Sequence, residues 1–422
     1  MKKTLISIVT IAFIFAIISC SKTTGSIKIN YTKAIAVYGD LDSLRNIPLL
    51  EPSKEIVKPM GHYIGNNCIL IGERAKGIHL FDDNNISNPS KVGFLNIPFC
   101  KEFYVEGNYL YAESGYDLLK IDLTDVRTPK VIKRVNNAFH TQLKNNQGQV
   151  ILGFIYQNAT DEFDYNSEEA KSIKKDGKLY IDYRKKMIPL SSVPTMFTGN
   201  NGKSKGTINR ICVIKDHVYV VGIDKMHIFS NNQDFNKVKE LKIGDNTETI
   251  YTDKDRLYLG SQTQLTIYDL KSPSNPKEIG NVDHEESCDP VLAVGDYAYS
   301  TLRSVTNEGC SPSENVLMVV EIKKSGRAKE VQTIDMKSPY GLALINNYLF
   351  VGEGTNGLRI FNAKYKDDLK ESKKFNNIVA FDIMQHPTNS DIIITTHQNG
   401  LRQYKINWND LTLNLEKNLD YK

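Results

Sequence analysis

The sequence has little that marks chemistry. None of its six cysteines stands at Cys-x-x-Cys spacing to another, which argues against a zinc site built from them. A P-loop and a His-Glu-x-x-His pair are both missing, so P-loop nucleotide hydrolysis and zinc proteolysis are set aside. Charge of one sign is missing too. The 53 Lys and Arg nearly balance 49 Asp and Glu, leaving +4, without the basic patch that grips nucleic acid. Past Ile18 no apolar run is long enough to span a bilayer. Tryptophan occurs once, whereas tyrosine, which favours strands, occurs 22 times. No cofactor, metal or nucleic acid partner is expected.

What is present begins with an export signal. Lys2 and Lys3 precede an apolar run from Leu5 to Ile18, too short to be a comfortable span and suited to a secretory signal peptide over 1–19. The run stops at Ile17-Ile18-Ser19-Cys20, which resembles the lipobox of bacterial lipoproteins. That resemblance implies a diacylglycerol on Cys20, cleavage before it and acylation of the new amino terminus. Several acyl chains anchor stably where one would not. Ser21 to Ser26 then reads as a polar tether, and 20–58 as anchor, tether and N-terminal segment. The expected location is the bacterial cell envelope, on the outer membrane, with the periplasmic or surface face left open.

The rest of the chain repeats itself about every 40 residues. Asn108-Tyr109-Leu110-Tyr111 precedes Leu118-Leu119-Lys120-Ile121-Asp122, and Arg256-Leu257-Tyr258-Leu259 precedes Leu265-Thr266-Ile267-Tyr268-Asp269. Asn347-Tyr348-Leu349-Phe350-Val351 likewise precedes Leu358-Arg359-Ile360-Phe361. Each unit reads as four strands. A first strand ends in a Gly-Asn or Asn-Asn turn, two apolar strands follow, and a Pro turn leads into a polar fourth strand that suits a sheet edge. The Asp closing the third strand is placed to hold the next turn's backbone. Four antiparallel strands at this period predict an all-β fold: one β-propeller over 59–422, since a blade buries both faces only against its neighbours in a ring.

Gly77-Ile78-His79-Leu80-Phe81-Asp82 and Gly357-Leu358-Arg359-Ile360-Phe361-Asn362 resemble the LVIVD repeat of bacterial cell-surface proteins, over about 61 to 415. Asp40-Leu41-Asp42-Ser43-Leu44-Arg45, Ser287-Cys288-Asp289-Pro290-Val291, Tyr297 to Ser304 and Pro339-Tyr340-Gly341-Leu342 resemble its lipoprotein branch. The resemblance implies a propeller and carries over no catalytic residue.

Seven units are clear, starting near Pro59, Phe99, Thr207, Asn246, Ser287, Ser338 and Asn377. A weaker one lies between Ala138 and Gly206, with Val150 to Tyr156 as second strand and Leu179 to Tyr183 as third. Eight blades are expected. The alternative is seven, with an insertion near 157–206. Ala34 to Tyr38 is assigned either to the outside of a terminal blade or to one face. Export favours disulfides, and Cys288 with Cys310 is the expected pair. Cys68 and Cys212, inside apolar strands, read as buried thiols, and Cys100 as free.

In a propeller, function gathers where the innermost strands begin, around the channel. Aligning the units there brings together Lys101, Glu102, Arg210, Glu248, Asp289, Tyr340 and Asp382, with His140 from the weak unit. The plainer reading is a solvated ring whose charges satisfy one another; the other is a binding site for a polar ligand. Asp283-His284-Glu285-Glu286 reads as a solvated loop. The expected role is a non-enzymatic binding or scaffolding module for an envelope protein or glycan, held to the membrane by its lipid. The alternative is a propeller hydrolase or lyase acting on a glycan or small molecule at the channel mouth.

Overall fold

The computed structural model describes residues 25–139, 145–176, 178–181, 187–188, 208–222, 224–244, 247–253, 255–261, 264–283, 291–303, 315–323 and 328–421. The chain divides into two compact units: 1–36 with 155–190, and 37–154 with 191–422.

The larger unit is a ring of seven antiparallel blades, over 59–96, 103–135, 208–242, 247–283, 291–335, 342–375 and 383–420. Blade two shows the pattern. Phe103–Glu106 lies innermost, Tyr109–Ser114 and Asp117–Asp122 follow, and Lys130–Val135 is outermost. The two middle strands are buried on both faces, so both their odd and even positions are apolar; Cys68–Glu73 is buried at every residue. Seven separate apolar clusters fill the seven gaps between blades. The gap between blades six and seven, for example, holds Phe350, Leu358 and Ile360 against Ile383, Ile393 and Ile406.

The repeat's small signals have local causes. In all seven blades the pairing of third and outer strand slips once, as between Leu80 and Phe81 or Ile360 and Phe361. Such a bulge bends and twists the outer strand, which blunts an edge otherwise open to pairing with other chains. The residue closing the third strand accepts from the backbone N–H two residues on. Asp82 does so with Asn84 (3.0 Å), Asp122 with Thr124 (2.8 Å) and Asp269 with Lys271 (2.8 Å), as the sequence pattern predicts. Gly77 and Gly357 open that strand at φ +149° and +124°, and a Cβ there would meet the outer strand's carbonyls at 2.1 and 2.2 Å. Glycine is therefore demanded at both.

Seven is the count, and the weaker unit forms no eighth blade. Its strands belong instead to a separate sheet, ordered Val150–Asp164, Ser26–Gly39, Lys178–Ile181, Met187–Ile188. Ser26–Gly39 runs parallel to Lys178–Ile181 and pairs with no strand of a blade. The physical reason is hydrophobic supply. The stretch from Gln157 to Asp164 is mostly exposed, and among the described residues the smaller unit's apolar cluster is Tyr31, Phe163, Ala170, Ile173 and Leu179, with Tyr31 edge-on to Phe163 at 5.5 Å. Blades need two apolar faces; this sheet has residues for one. The helix Glu168–Asp176 is capped by Ser167, whose hydroxyl accepts from the Ala170 N–H at 3.1 Å.

The segment before blade one wraps around the ring. Asp40 caps a one-turn helix, Leu41–Arg45. Arg45 then forks onto Asp117 in blade two, with both bonds at 2.9 Å. Leu50–Glu51 adds a fifth strand outside blade one. Ile56 is buried between blades seven and one, and the Val57 and Lys58 N–H groups donate to Glu73.

Candidate functional site

The innermost strands meet around the channel, and the residues that lead into them face one another. Bulges steer some of these residues. In blade three the pairing slips between Ile208 and Arg210, and in blade four between Thr247 and Thr249, with Glu248 as the extra residue. A bulge of this kind re-aims the side chain that follows it.

Charged groups from three blades act on one another. Arg210 of blade three lies 3.7 Å from Glu102, just before blade two's first strand. Tyr63 of blade one donates its hydroxyl to Glu102 at 3.4 Å. Asp382, leading into blade seven, feels the same Arg210. Its Oδ1 accepts from the Ile383 N–H at 2.9 Å and packs over Gly341, where a Cβ would stand 2.1 Å away. Only glycine at 341 leaves room for that carboxylate.

The enclosure shows in the acidities. Burial pushes the Glu102 carboxyl up to about 7, helped by Glu113 and opposed by Arg210, Tyr63 and the Ile211 N–H. Asp382 is open to the channel, yet protein surrounds it otherwise. That enclosure pushes its carboxyl up to about 6, against Arg210 and the Ile383 N–H. Burial holds the Lys101 ammonium down to about 8; Glu113 opposes that and Arg74 adds to it. Glu113 therefore acts on Lys101 and on Glu102 alike. Burial also raises the Tyr63 phenol well above its usual range.

An aromatic wall adjoins Asp382. Tyr340 meets Phe381 edge-on at 4.9 Å, and the Arg303 guanidinium lies 4.0 Å from the centre of the Tyr340 ring. The Tyr340 carbonyl accepts from the Thr301 hydroxyl at 2.7 Å. Six blades or their lead-ins therefore contribute to one ring of side chains.

The architecture is that of a seven-bladed β-propeller. No family model matches the chain, and no curated protein matches it. Among solved structures it is similar to Hsv2 of Kluyveromyces lactis, at 11% identity and TM-score 0.50, over 86% of this chain and 99% of that one. It is also similar to a Lactobacillus plantarum protein, at 10% identity and TM-score 0.52, over 83% of this chain and 95% of that one. At such identities the likeness is one of fold.

Of the eight ring residues expected from sequence, Glu102 and Arg210 pair, Asp382 feels the charge of Arg210, Tyr340 meets Phe381 beside Asp382, and Lys101 is half-buried within reach of the charge on Glu113. Glu248 is placed only as the bulge of blade four. His140 and Asp289 lie outside the described residues, as do Cys20, Cys288 and Cys310. Cys68 and Cys100 are free thiols in the core, and Cys212 is a partly buried one. Burial lifts the Cys68 thiol to about 12 and raises the other two as well, so none is poised as a nucleophile. Among the described residues, no three His, Cys, Asp or Glu are grouped to hold a metal, and no helix is long and apolar enough to cross a membrane.

Sequence alignment missed Tyr63 and Arg303. Tyr63 sits inside a first strand, not ahead of one, and its signal is only a polar tip on an otherwise core-forming ring. One motif is formal only. Gly352-Glu353-Gly354-Thr355-Asn356-Gly357 spells the glycine pattern of dinucleotide-binding turns, but it joins two antiparallel strands and opens no helix.

Proposed function

We propose that this chain is a lipid-anchored envelope protein of the LVIVD-repeat kind whose propeller works as a non-enzymatic binding module. The observation that carries the reading is the gathering of Glu102, Arg210 and Asp382 at the channel, from blades distant in sequence. Charged side chains that act on one another where the inner strands begin form a site that suits a polar ligand. The anchor reading is supported by the apolar run that stops just before Cys20, and in that reading the module sits on the outer membrane, facing an envelope protein or a glycan. Metabolic labelling with palmitate tests the anchor: label should enter the wild-type chain and vanish in Cys20→Ser. For binding, the anchored chain is crosslinked in living cells and compared with Arg210→Glu. The reading predicts a crosslinked species lost in the variant; identical crosslinks in both would remove it.

One observation favours a second reading, a hydrolase or lyase acting on a glycan or small molecule. Burial pushes Glu102 up to about 7 and Asp382 up to about 6, close enough to neutral to exchange protons, which suits acid–base chemistry. A glycan and ester hydrolysis screen with Glu102→Gln and Asp382→Asn decides it. Absence of turnover, or turnover indifferent to both changes, excludes catalysis at this site.

A further inference from the structure

The sheet edges of the larger unit are guarded, and one edge of the smaller unit is not. Each of the seven outer blade strands carries a bulge and at least one lysine, such as Lys91, Lys277 and Lys417. Charge and bulges of this kind keep an edge from pairing with other chains. Val150–Asp164 carries no Lys, Arg or Pro, and it ends its sheet, paired on one side only among the described residues. Ile155, Tyr156, Gln157 and Asn158 are all exposed. Successive strand residues point to opposite faces, so neither face is covered there. Ile155 and Tyr156 are each more than half exposed. The acids further along the strand are already satisfied within their own unit. Asp161 accepts from the Tyr31 hydroxyl at 2.5 Å and lies 2.9 Å from Lys33. Glu162 accepts from the Ser26 hydroxyl, and Asp164 from the Asn166 N–H at 2.8 Å. They therefore call for no basic partner.

We propose that the open edge of Val150–Asp164 pairs antiparallel with the same strand of a second copy of this chain, about a two-fold axis within Ile155 to Asn158. A copy laid parallel would set Asp161, Glu162 and Asp164 beside their own kind, whereas an antiparallel copy holds the two acidic ends apart. The other edge of the sheet, Met187–Ile188, is two residues long and too short to receive the long strand. Copies therefore close as a pair and do not extend into a fibre. One strand pair is small beside the roughly 1,200–2,000 Å² of a stable interface. Confinement on a membrane makes up the difference by raising the local concentration. That confinement rests on the anchor reading above. Five residues, Ser21 to Gly25, separate Cys20 from Ser26–Gly39, the strand that pairs with Val150–Asp164. They hold the start of that strand within roughly 22 Å of the lipid.

The test is disulfide trapping in a bacterial host that makes two differently tagged copies of the full chain. The variants are Ile155→Cys, Tyr156→Cys, Gln157→Cys and Asn158→Cys, with Lys130→Cys on an outer blade strand as control. At least one of the four should give a mixed-tag disulfide about tenfold or more above Lys130→Cys, and the four yields should differ, because one register brings only some positions within reach. In the chain without added cysteine, one tag should co-purify the other, and Tyr156→Lys should abolish this by placing a charge on the edge. That readout keeps the test valid if a cysteine variant folds poorly. Palmitate labelling of the same cells reads the anchor separately: trapping in a chain that takes up no label supports the pairing and counts against the anchor reading. Equal yields at all five positions, or co-purification indifferent to Tyr156→Lys, overturns the pairing. A disulfide from Ile155 to Asn158 to a different protein, with no mixed-tag pair, overturns it too and makes the edge a site for that partner's strand.

Discussion

Glu102 is built at a cost to stability. A carboxyl whose acidity is weakened on folding favours the fold when protonated and opposes it when ionised. Its folded value of about 7 lies above the ordinary 4.5, so its contribution is fully present below pH 4.5 and is lost as pH rises through 7. Its side chain is only 13% exposed, so the effect is not screened away. Glu102→Gln keeps the neutral shape at every pH. The variant should be more stable than wild type at pH 8.5, by up to about 3 kcal/mol, and should melt together with it at pH 4. Thermal melts at the two pH values check this. Equal melting at pH 8.5 would mean that Arg210 fully compensates the buried charge.

Among the elements, the wrap from Asp40 to Lys58 depends most on one side chain. Arg45 shares Asp117 with Arg134 and with the Asn137 N–H, each at 2.9 Å. Asp117 is 2% exposed. Burial alone would raise its carboxyl, but these donors outweigh it and hold it below the usual range. That stabilisation is present above pH 4 and is lost as pH falls further. Arg45→Ala leaves Asp117 two of its three partners and should cost about 1–3 kcal/mol. Hydrogen exchange should then quicken over 46–58 while the middle strands of the blades stay protected; unchanged exchange would show that Ile56 and Leu50–Glu51 hold the wrap unaided. This element also shows what was legible in the sequence. The blades were, because their strands alternate through fixed turns and a closing Asp such as Asp122. So were the starts of the inner strands, beside which Glu102, Arg210 and Asp382 stand, since they recur with the repeat. The wrap's docking and the fate of Val150–Asp164 were not. Both depend on pairing partners more than 70 residues away, Asp117 for Arg45 and Ser26–Gly39 for the long strand. Tyr63 escaped for the same reason, since its polar tip is defined by a blade it does not belong to.

At the scale of the whole molecule, no strand is exchanged to close the ring. Blade one comes entirely from residues before 97 and blade seven entirely from residues after 382. Among the described residues, side chains hold this seam, with Ile56 of the wrap buried in it. Ile69, Ile71 and Phe81 pack against Ile392, Ile394 and Leu401, and His62 touches the Tyr421 hydroxyl. At its centre His386 Nε2 lies 2.9 Å from Asp83 Oδ2, with both side chains essentially inaccessible. The Thr388 N–H points at His386 Nδ1 at 3.3 Å, which makes Nδ1 the acceptor and leaves Nε2–H to donate to Asp83. Removing one member strands the other away from water. His386→Ala should therefore destabilise by about 3–5 kcal/mol, more than the roughly 2–3 kcal/mol expected of an aliphatic truncation such as Leu401→Ala. Replacing both, as Asp83→Leu with His386→Leu, removes the buried charge along with its partner and should recover most of that loss. Denaturant melts of the three variants measure the difference. If the double variant is as weak as His386→Ala, the seam depends on the hydrogen bond itself and not on the absence of an unpaired charge. Either way the seam is where the ring opens first, because every other pair of neighbouring blades is also joined by the chain.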